Sequence, residues 1–193
     1  IAGDRRKEGP VVYVSTGIHG DEPAGPMALH EWLRENVHNL HGTWILVPLL
    51  NPSGWDAHTR ENADGVDLNR DYGNPETQEV SQHQDWLQTL PPIDLFLSLH
   101  EDYESSGFYL YCLNNPNLGH HILSAVAQVI PVQEGREADG KPLHNGLILT
   151  GDPEKILKEM PSWPEALWFY KQFPHALNIT TETPSTAFPL HQR

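Results

Sequence analysis

The sequence contains a single cysteine, Cys112, and has no long hydrophobic run. One cysteine cannot form an intrachain disulfide, which suits a protein that folds in a reducing compartment. The longest apolar stretch, WILVPLL at residues 44–50, has seven residues, whereas a membrane-spanning helix needs about 20. The first ten residues, IAGDRRKEGP, do not resemble a signal peptide. These absences predict a cytoplasmic protein that has no membrane partner.

Basic residues are also scarce, with 12 Lys and Arg against 26 Asp and Glu, so the formal net charge is −14. A surface of this sign repels phosphate backbones, and the only basic cluster is DRRK at residues 4–7. Nucleic-acid binding is therefore not expected. The chain has 193 residues, of which 38% are hydrophobic, enough for a substantial core. We expect residues 1–193 to form a single domain.

Strand-like and helix-like segments alternate along the chain. Buried strands are predicted at residues 11–17, 44–50, 93–100, 108–113 and 175–182, with a short strand at 146–151. Helices are predicted at 22–37, with Asp21 as the N-cap, after Asn74-Pro75, and after NNPN at 114–117, whereas NPSG at 51–54 is interpreted as a turn and 55–73 as a loop. This alternation predicts an α/β fold with helices on both faces of a sheet.

Three polar residues stand where predicted strands end, namely His19, His100 and Glu182. In α/β sheets, binding sites gather beyond the carboxyl ends of the strands. Catalytic zinc takes three nitrogen or oxygen ligands and keeps one position open, and His19, Glu22 and His100 could supply the three. From these residues alone, Glu22 could equally favour a helix dipole, and His100 could be an ordinary strand-end histidine.

Two further segments carry candidate catalytic or binding groups. The loop RENADGVDLNRDY at residues 60–72 holds Arg60, Asn69 and Arg70, and a guanidinium beside an amide suits the capture of a carboxylate. Glu182, in ITTETPS, could act as a general base beside a metal. Taken singly, each segment also fits an ordinary surface loop or strand end.

In their order along the chain, HGDE, GVDLNR, SLH and TETP resemble the M14 zinc metallocarboxypeptidase superfamily. The likeness is strongest to its compact bacterial carboxypeptidase branch, which is related to the succinylglutamate desuccinylase/aspartoacylase group. The resemblance implies a zinc carboxypeptidase-like α/β domain with a mixed, mostly parallel sheet flanked by helices. It also implies one Zn²⁺ ion held by His19, Glu22 and His100.

The same resemblance implies roles for five other residues. Asp67 matches the carboxylate that orients the first ligand histidine. Arg60 matches the arginine that polarises the scissile carbonyl group. Asn69 and Arg70 match the pair that holds the terminal carboxylate of the substrate, and Glu182 matches the catalytic base.

The preferred hypothesis is a metallocarboxypeptidase that hydrolyses the C-terminal amide bond of a peptide. The first alternative is a zinc-dependent deacylase of N-acyl amino acids, and the second is a metal-binding module without turnover. The expected partner is accordingly a peptide or an N-acyl amino acid. Acidic residues such as Asp21 and Glu101 could supply a second metal, and Tyr103 and Tyr170 are candidates for the mobile tyrosine that many superfamily members carry.

Overall fold

The computed structural model describes residues 9–193, which contain eight strands. In chain order these are β1 (Val11–Thr16), β2 (Thr43–Val47), β3 (Leu95–Asp102), β4 (Tyr109–Cys112), β5 (Glu137–Ala138), β6 (Lys141–Pro142), β7 (Leu147–Leu149) and β8 (Leu177–Pro184). Within that range, β5 and β6 form a small hairpin and the other six strands form the central sheet. The basic segment DRRK lies outside the described residues.

The central sheet has the spatial order β2-β1-β3-β8-β4-β7. β1 pairs in parallel with β2 and β3, and β3 pairs in parallel with β8. β4 runs antiparallel to β8 and parallel to β7. The predicted mixed, mostly parallel sheet is therefore confirmed, and the carboxyl ends of β1, β3 and β8 lie along one edge.

The described chain also contains six α-helices, and they cover both faces of the sheet. They are α1 (Ala24–Asn36), α2 (Pro52–Ala57), α3 (Gln78–Leu87), α4 (Pro116–Val126), α5 (Pro153–Glu159) and α6 (Glu165–Gln172). Short 3₁₀ turns occupy Val37–Asn39, Leu68–Arg70 and Leu190–Gln192. None of the described helices has the length and apolarity needed to cross a bilayer.

Alternation along the strands determines which helices lie on which face. Tyr13 of β1 belongs to a core cluster with residues of α3 and α6. Val12 and Val14 point to the opposite face, where they pack with Leu29 of α1. Leu97 of β3 contacts both this cluster and the one that contains α4, so α1 and α4 share a face.

The predicted cap of the first helix is wrong. α1 begins at Ala24, and its N-cap position is occupied by Pro23 rather than Asp21. The carboxylate of Glu101, at the end of β3, accepts a hydrogen bond from the Ala24 N–H at 2.8 Å. A partner 77 residues away satisfies the helix terminus, which a local capping pattern does not reveal.

Three further features differ from the sequence predictions. The helix expected after Asn74-Pro75 begins at Gln78, because the hydroxyl of Thr77 accepts a hydrogen bond from the Val80 N–H. NPSG opens α2 rather than forming a turn, with Asn51 as its N-cap. β2 was expected to be buried, but it is a half-buried edge strand of the sheet.

Candidate metal centre and substrate cavities

Three adjacent parallel strands deliver the candidate catalytic groups to one edge of the sheet. His19 and Glu22 lie in the segment between β1 and α1, and His100 lies near the carboxyl end of β3. His100 is the register partner of Glu182 in β8, so both side chains face the same side of the sheet. The topology thus brings together residues that are up to 163 positions apart, as 182 − 19 shows.

His19, Glu22 and His100 form a buried cluster of potential ligands. One donor atom of each lies within 4.8 Å of the others. The Nδ1 atom of His19 is 2.6 Å from Glu22 Oε1, and the Nδ1 atom of His100 is 3.0 Å from Glu22 Oε2. Two imidazole nitrogens and a carboxylate that converge in a buried site suit a divalent cation such as Zn²⁺.

Asp67 contacts the ring nitrogen of His19 that does not face Glu22. Its Oδ1 atom is 3.2 Å from His19 Nε2 and also accepts a hydrogen bond from the Asn69 N–H at 2.9 Å. The Nε–H of Arg60 donates to Asp67 Oδ2 at 3.0 Å. A carboxylate at the second ring nitrogen fixes the orientation of a ligating histidine. The contact between Asp67 and His19 is therefore a second feature that suits a metal site.

A close backbone contact positions the loop that carries His19. A side chain at Gly20 would collide with the backbone of Gly54 in α2, so these two segments pack together only because residue 20 is glycine. The buried side chain of Asn51 completes the junction by donating to the carbonyl groups of Ile18 and Arg60, at 3.3 Å each. HGDE and NPSG are therefore complementary parts of one local structure.

The carboxylates of Glu22 and Asp67 are in the charge state that suits a bound cation. Burial alone would raise the pKa of Glu22, but His100 and His19 lower it to about 2. Burial also opposes ionisation of Asp67, yet the hydrogen bond and charge of His19 hold its pKa well below its usual range. The pKa of His19 is raised by Asp67 and Glu22 despite the effect of burial. Two carboxylates thus remain ionised around the histidines at neutral pH.

Glu182 is in a different electrostatic state from the carboxylate of Glu22. Burial raises its pKa to about 8, and the neighbouring carboxylates of Glu22, Asp102 and Asp139 add to the effect, while His100 opposes it. A carboxyl group whose pKa lies near neutrality can both accept and return a proton.

Asn69 and Arg70 are the last two residues of the 3₁₀ turn Leu68–Arg70, which Asp67 caps. The Oδ1 atom of Asn69 accepts a hydrogen bond from the Glu165 N–H at 2.9 Å, so its amide nitrogen is the atom left to donate elsewhere. Arg70 is exposed, and its Nη1 atom donates to the Asn69 carbonyl at 2.9 Å. Both residues border the same cavities as His100 and Glu182.

Two adjoining cavities open at this edge of the sheet. The first, of about 260 Å³, is polar and includes the three cluster residues together with Arg60 and Glu182. The second, of about 170 Å³, is bordered largely by apolar side chains of α5, α6 and the segment before α6. The residues that border both cavities are Asn69, Arg70, His100, Asp139 and Glu182. Seven of the eight sequence-predicted site residues therefore border this pair of cavities, and the eighth, Asp67, contacts His19 and Arg60.

Sequence reasoning missed Asp139, which borders both cavities, and Glu165, which contacts the cavity residues Ser98 and Asn69. The carboxylate of Glu165 is buried and accepts hydrogen bonds from Tyr13 Oη at 2.8 Å and Ser15 Oγ at 2.7 Å. Asp139, at the tip of the β5–β6 hairpin, accepts a hydrogen bond from Tyr111 Oη at 2.5 Å. The only sequence signal was Asp-Gly at 139–140, which favours a tight hairpin turn.

The acidic residues considered for a second metal do not join the cluster. Among residues 9–193, the grouped donor atoms are those of His19, Glu22 and His100 alone. Glu101 instead binds the Ala24 N–H and pairs with Arg193 at 2.6 Å. Of the two tyrosines considered, Tyr103 borders the polar cavity and is 71% exposed. Tyr109 and Tyr111 also border the cavities, one in each.

Comparison with known proteins identifies a family. The family model described as the succinylglutamate desuccinylase/aspartoacylase catalytic domain matches residues 8–136. The chain is similar to N-alpha-acetyl-L-2,4-diaminobutyric acid deacetylase of Halomonas elongata, with 32% identity over 143 residues. This match covers 72% of the chain but only 40% of that deacetylase, so the chain spans well under half of the relative's length.

Solved structures share the fold. A crystal structure from Shewanella baltica, described as a candidate metallopeptidase, aligns with a TM-score of 0.78 and 25% identity over 95% of this chain and 70% of its own. A succinylglutamate desuccinylase/aspartoacylase from Rhodobacter sphaeroides aligns with a TM-score of 0.61 and 19% identity, over 95% of this chain and 51% of its own. The resemblance to the M14-like superfamily that the sequence motifs predicted is confirmed.

Proposed function

Because the chain belongs to the succinylglutamate desuccinylase/aspartoacylase catalytic-domain family, we propose that it is a metal-dependent deacylase of N-acyl amino acids. It would hydrolyse the amide bond and release a carboxylic acid and the free amino acid. The similarity to a deacetylase supports this over the peptidase activity that the sequence motifs alone favoured. The family establishes a hydrolase of the deacylase or metallopeptidase type, and the finer activity is our proposal.

The observation that carries the proposal is the sharing of one pair of cavities by three kinds of group. The ligand cluster, a carboxyl group that can exchange a proton, and a guanidinium all border the same space. Hydrolysis of an amide next to a free carboxylate needs these three: a metal site, a base and an anion holder.

We assign Zn²⁺ to His19, Glu22 and His100 because the donors are two imidazoles and one carboxylate, with Asp67 behind the first imidazole. When bound, such an ion supplies Lewis acidity for the amide carbonyl and for the attacking water. The residues around the ion have roles of their own in proton transfer and in substrate binding.

Glu182 is the proposed general base. Its carboxylate would accept a proton from the attacking water and then pass that proton to the leaving nitrogen, as a group with a pKa near neutrality can. Arg60, whose Nη1 atom is 3.6 Å from Glu22 Oε1, would meet the negative charge that develops on the carbonyl oxygen.

Asn69 and Arg70 are the proposed holders of the substrate carboxylate. The Glu165 N–H already occupies Asn69 Oδ1, which leaves the amide N–H groups to donate to an anion. Arg70 is exposed at the junction of the two cavities, where its guanidinium can receive the carboxylate.

Carboxypeptidase activity is the second candidate, and the structural likeness to the Shewanella baltica protein favours it. Both reactions cleave an amide bond beside a free carboxylate, so the same residues would serve either one. They differ in what lies on the acyl side of the bond, a small acid in one case and a peptide in the other.

The test is to incubate the zinc-loaded protein with N-acetyl amino acids and with a peptide library, and to follow both by mass spectrometry. We expect free amino acids from the N-acetyl derivatives and little shortening of the peptides. Glu182→Gln should lower turnover by about 10²–10⁴-fold, whereas Glu31→Gln, an exposed position on α1, should not. Loss of C-terminal residues from peptides alone would support the carboxypeptidase, and no turnover of either substrate would support the metal-binding module.

A further inference from the structure

The 170 Å³ cavity beside the metal centre has a composition that limits what it can bind. Eleven residues border this cavity and not the polar one, and the apolar members among them are Leu113, Ile156, Met160, Pro164, Ala166 and Leu167. We refer to the space that these six side chains enclose as the aliphatic recess. Such a surface favours ligand groups that gain by leaving water.

The charged group on the wall of the recess already has a partner. Lys141 is the single charged residue among those eleven, and its Nζ atom is 2.6 Å from Asp139 Oδ2. The hydroxyl group of Tyr111 donates to the same carboxylate, and Lys141 Nζ lies 5.0 Å from the centre of the Tyr111 ring. A charged substrate side chain would have to break this pair to gain an ionic partner there. The other charged or titratable residues that border the cavity, Arg70, His100 and Glu182, are already assigned to the substrate carboxylate, the metal and the proton transfer.

Hydroxyl groups on the wall are also engaged within the protein. Ser98 Oγ donates to Glu165 Oε2 at 3.4 Å and lies 3.2 Å from Ser15 Oγ. Thr150 Oγ1 donates to the Cys112 carbonyl at 3.1 Å. Thr180 contributes one more hydroxyl. A charged group that entered the recess would therefore lose most of its hydration without equivalent replacement.

The position of the recess shows which part of the substrate it would receive. Asn69 and Arg70, the proposed carboxylate holders, border it, as do His100 and Glu182. In an N-acyl amino acid, the side chain branches from the carbon that joins the carboxylate to the scissile nitrogen. A substrate held by its carboxylate and its amide at these residues would thus direct its side chain into the recess.

We propose that the aliphatic recess selects N-acyl amino acids with an uncharged apolar side chain, such as leucine or methionine. This inference rests on the proposed deacylase function and narrows it to one substrate class. It separates this chain from the similar deacetylase, whose named substrate carries an additional amino group.

The experiment compares kcat/KM of the zinc-loaded protein for N-acetyl derivatives of alanine, leucine, 2,4-diaminobutyrate and aspartate. We expect the leucine derivative to exceed the alanine derivative by about 10-fold or more, and both charged derivatives to fall below alanine. Preference for diaminobutyrate or aspartate would overturn the inference. Equal kcat/KM values for the four derivatives would overturn it as well.

Two variants on α5 distinguish an effect of filling the recess from an effect of disturbing the helix. Ile156→Trp would fill the recess, so it should abolish the advantage of leucine and retain the turnover of N-acetylalanine. Leu157→Trp changes the next residue, which is equally half-buried but does not border the recess, and it should keep the preference for leucine. If Ile156→Trp left the preference intact, the inference would be wrong.

Calorimetric binding of free leucine, methionine and 2,4-diaminobutyrate provides a readout that does not depend on turnover. Tighter binding of the apolar amino acids, weakened by Ile156→Trp, would support the recess even if no amide were hydrolysed. That combination would contradict only the proposed deacylase. Hydrolysis of N-acetyl amino acids without preference for apolar side chains would contradict only the recess.

Discussion

At the scale of single residues, two carboxyl groups at the candidate metal centre differ in charge because their neighbours differ. Glu22 lies between two histidines, which lower its pKa to about 2. Glu182 is buried and lies near other carboxylates, and both effects raise its pKa to about 8. The same functional group is thereby ionised in one position and able to hold a proton near neutral pH in the other, which suits the proposed roles of ligand and general base.

The metal-free protein should lose stability between about pH 5 and pH 8, and Glu182→Gln should remove part of that loss. The pKa of Glu182 rises from 4.5 to about 8 on folding, so the folded protein holds this proton more tightly than the unfolded chain. The resulting stabilisation is complete below about pH 4.5 and disappears as the pH rises through 8. Urea unfolding of chelator-treated protein at both pH values should show a difference on the order of a few kcal/mol.

Other titratable groups near the candidate metal centre do not account for a difference in pH-dependent stability between wild type and Glu182→Gln. Glu22, with a pKa of about 2, contributes stability that is lost only as the pH falls below about 4.5. His19 has a raised pKa and loses its contribution in the same direction as Glu182, but it does so in both proteins. Identical pH dependence in wild type and Glu182→Gln would show that Glu182 is ionised throughout.

At the scale of elements, the sequence predicted those strands whose structure depends on a local pattern of residues. Short, nearly continuous apolar runs predicted β1, β3, β4 and β8, because a strand that is buried on both faces has few polar residues. The motif order also named the residues that gather at the strand ends. Their roles in metal binding and catalysis stay predictions.

The features that the sequence did not reveal depend on distant partners or on very short segments. β2 has the apolar run of a buried strand, but it lies at the edge of the sheet, and strand order is not encoded in the run itself. The β5–β6 hairpin has only two residues in each strand, too few for any periodicity. The cap that Glu101 provides to α1 requires knowledge of the tertiary fold.

Gly20→Ala should destabilise the protein by about 1–3 kcal/mol, because the new methyl group would collide with the backbone of Gly54 and neither segment can move freely. Metal affinity should fall as well, since His19 and Glu22 lie on either side of Gly20. Urea unfolding and metal competition with a chelator measure the two effects. Gly151→Ala is the matched control, because a methyl group there meets no other residue within 4 Å. An unfolding free energy within about 0.5 kcal/mol of wild type for Gly20→Ala would contradict the proposed close packing.

At the scale of the whole molecule, the candidate metal centre connects segments that the chain order keeps apart. β1 supplies the loop with His19, β3 supplies His100, and β8 supplies Glu182. Their parallel pairing places all three carboxyl ends at one edge, so the fold itself assembles the site. A metal bound there would link the loop before α1 to the centre of the sheet.

Chelation should therefore lower the thermal midpoint of the whole chain. A ligand present at about 1,000 times its dissociation constant stabilises the folded state by about 4 kcal/mol. For a chain of this size that corresponds to a shift of roughly 8–16 °C. Scanning calorimetry of zinc-loaded and chelator-treated protein measures the shift. His100→Asn removes one ligand at the end of β3, so its midpoint should respond much less to zinc. Equal midpoints for wild type with zinc and with chelator would show that His19, Glu22 and His100 do not hold a metal that couples to folding.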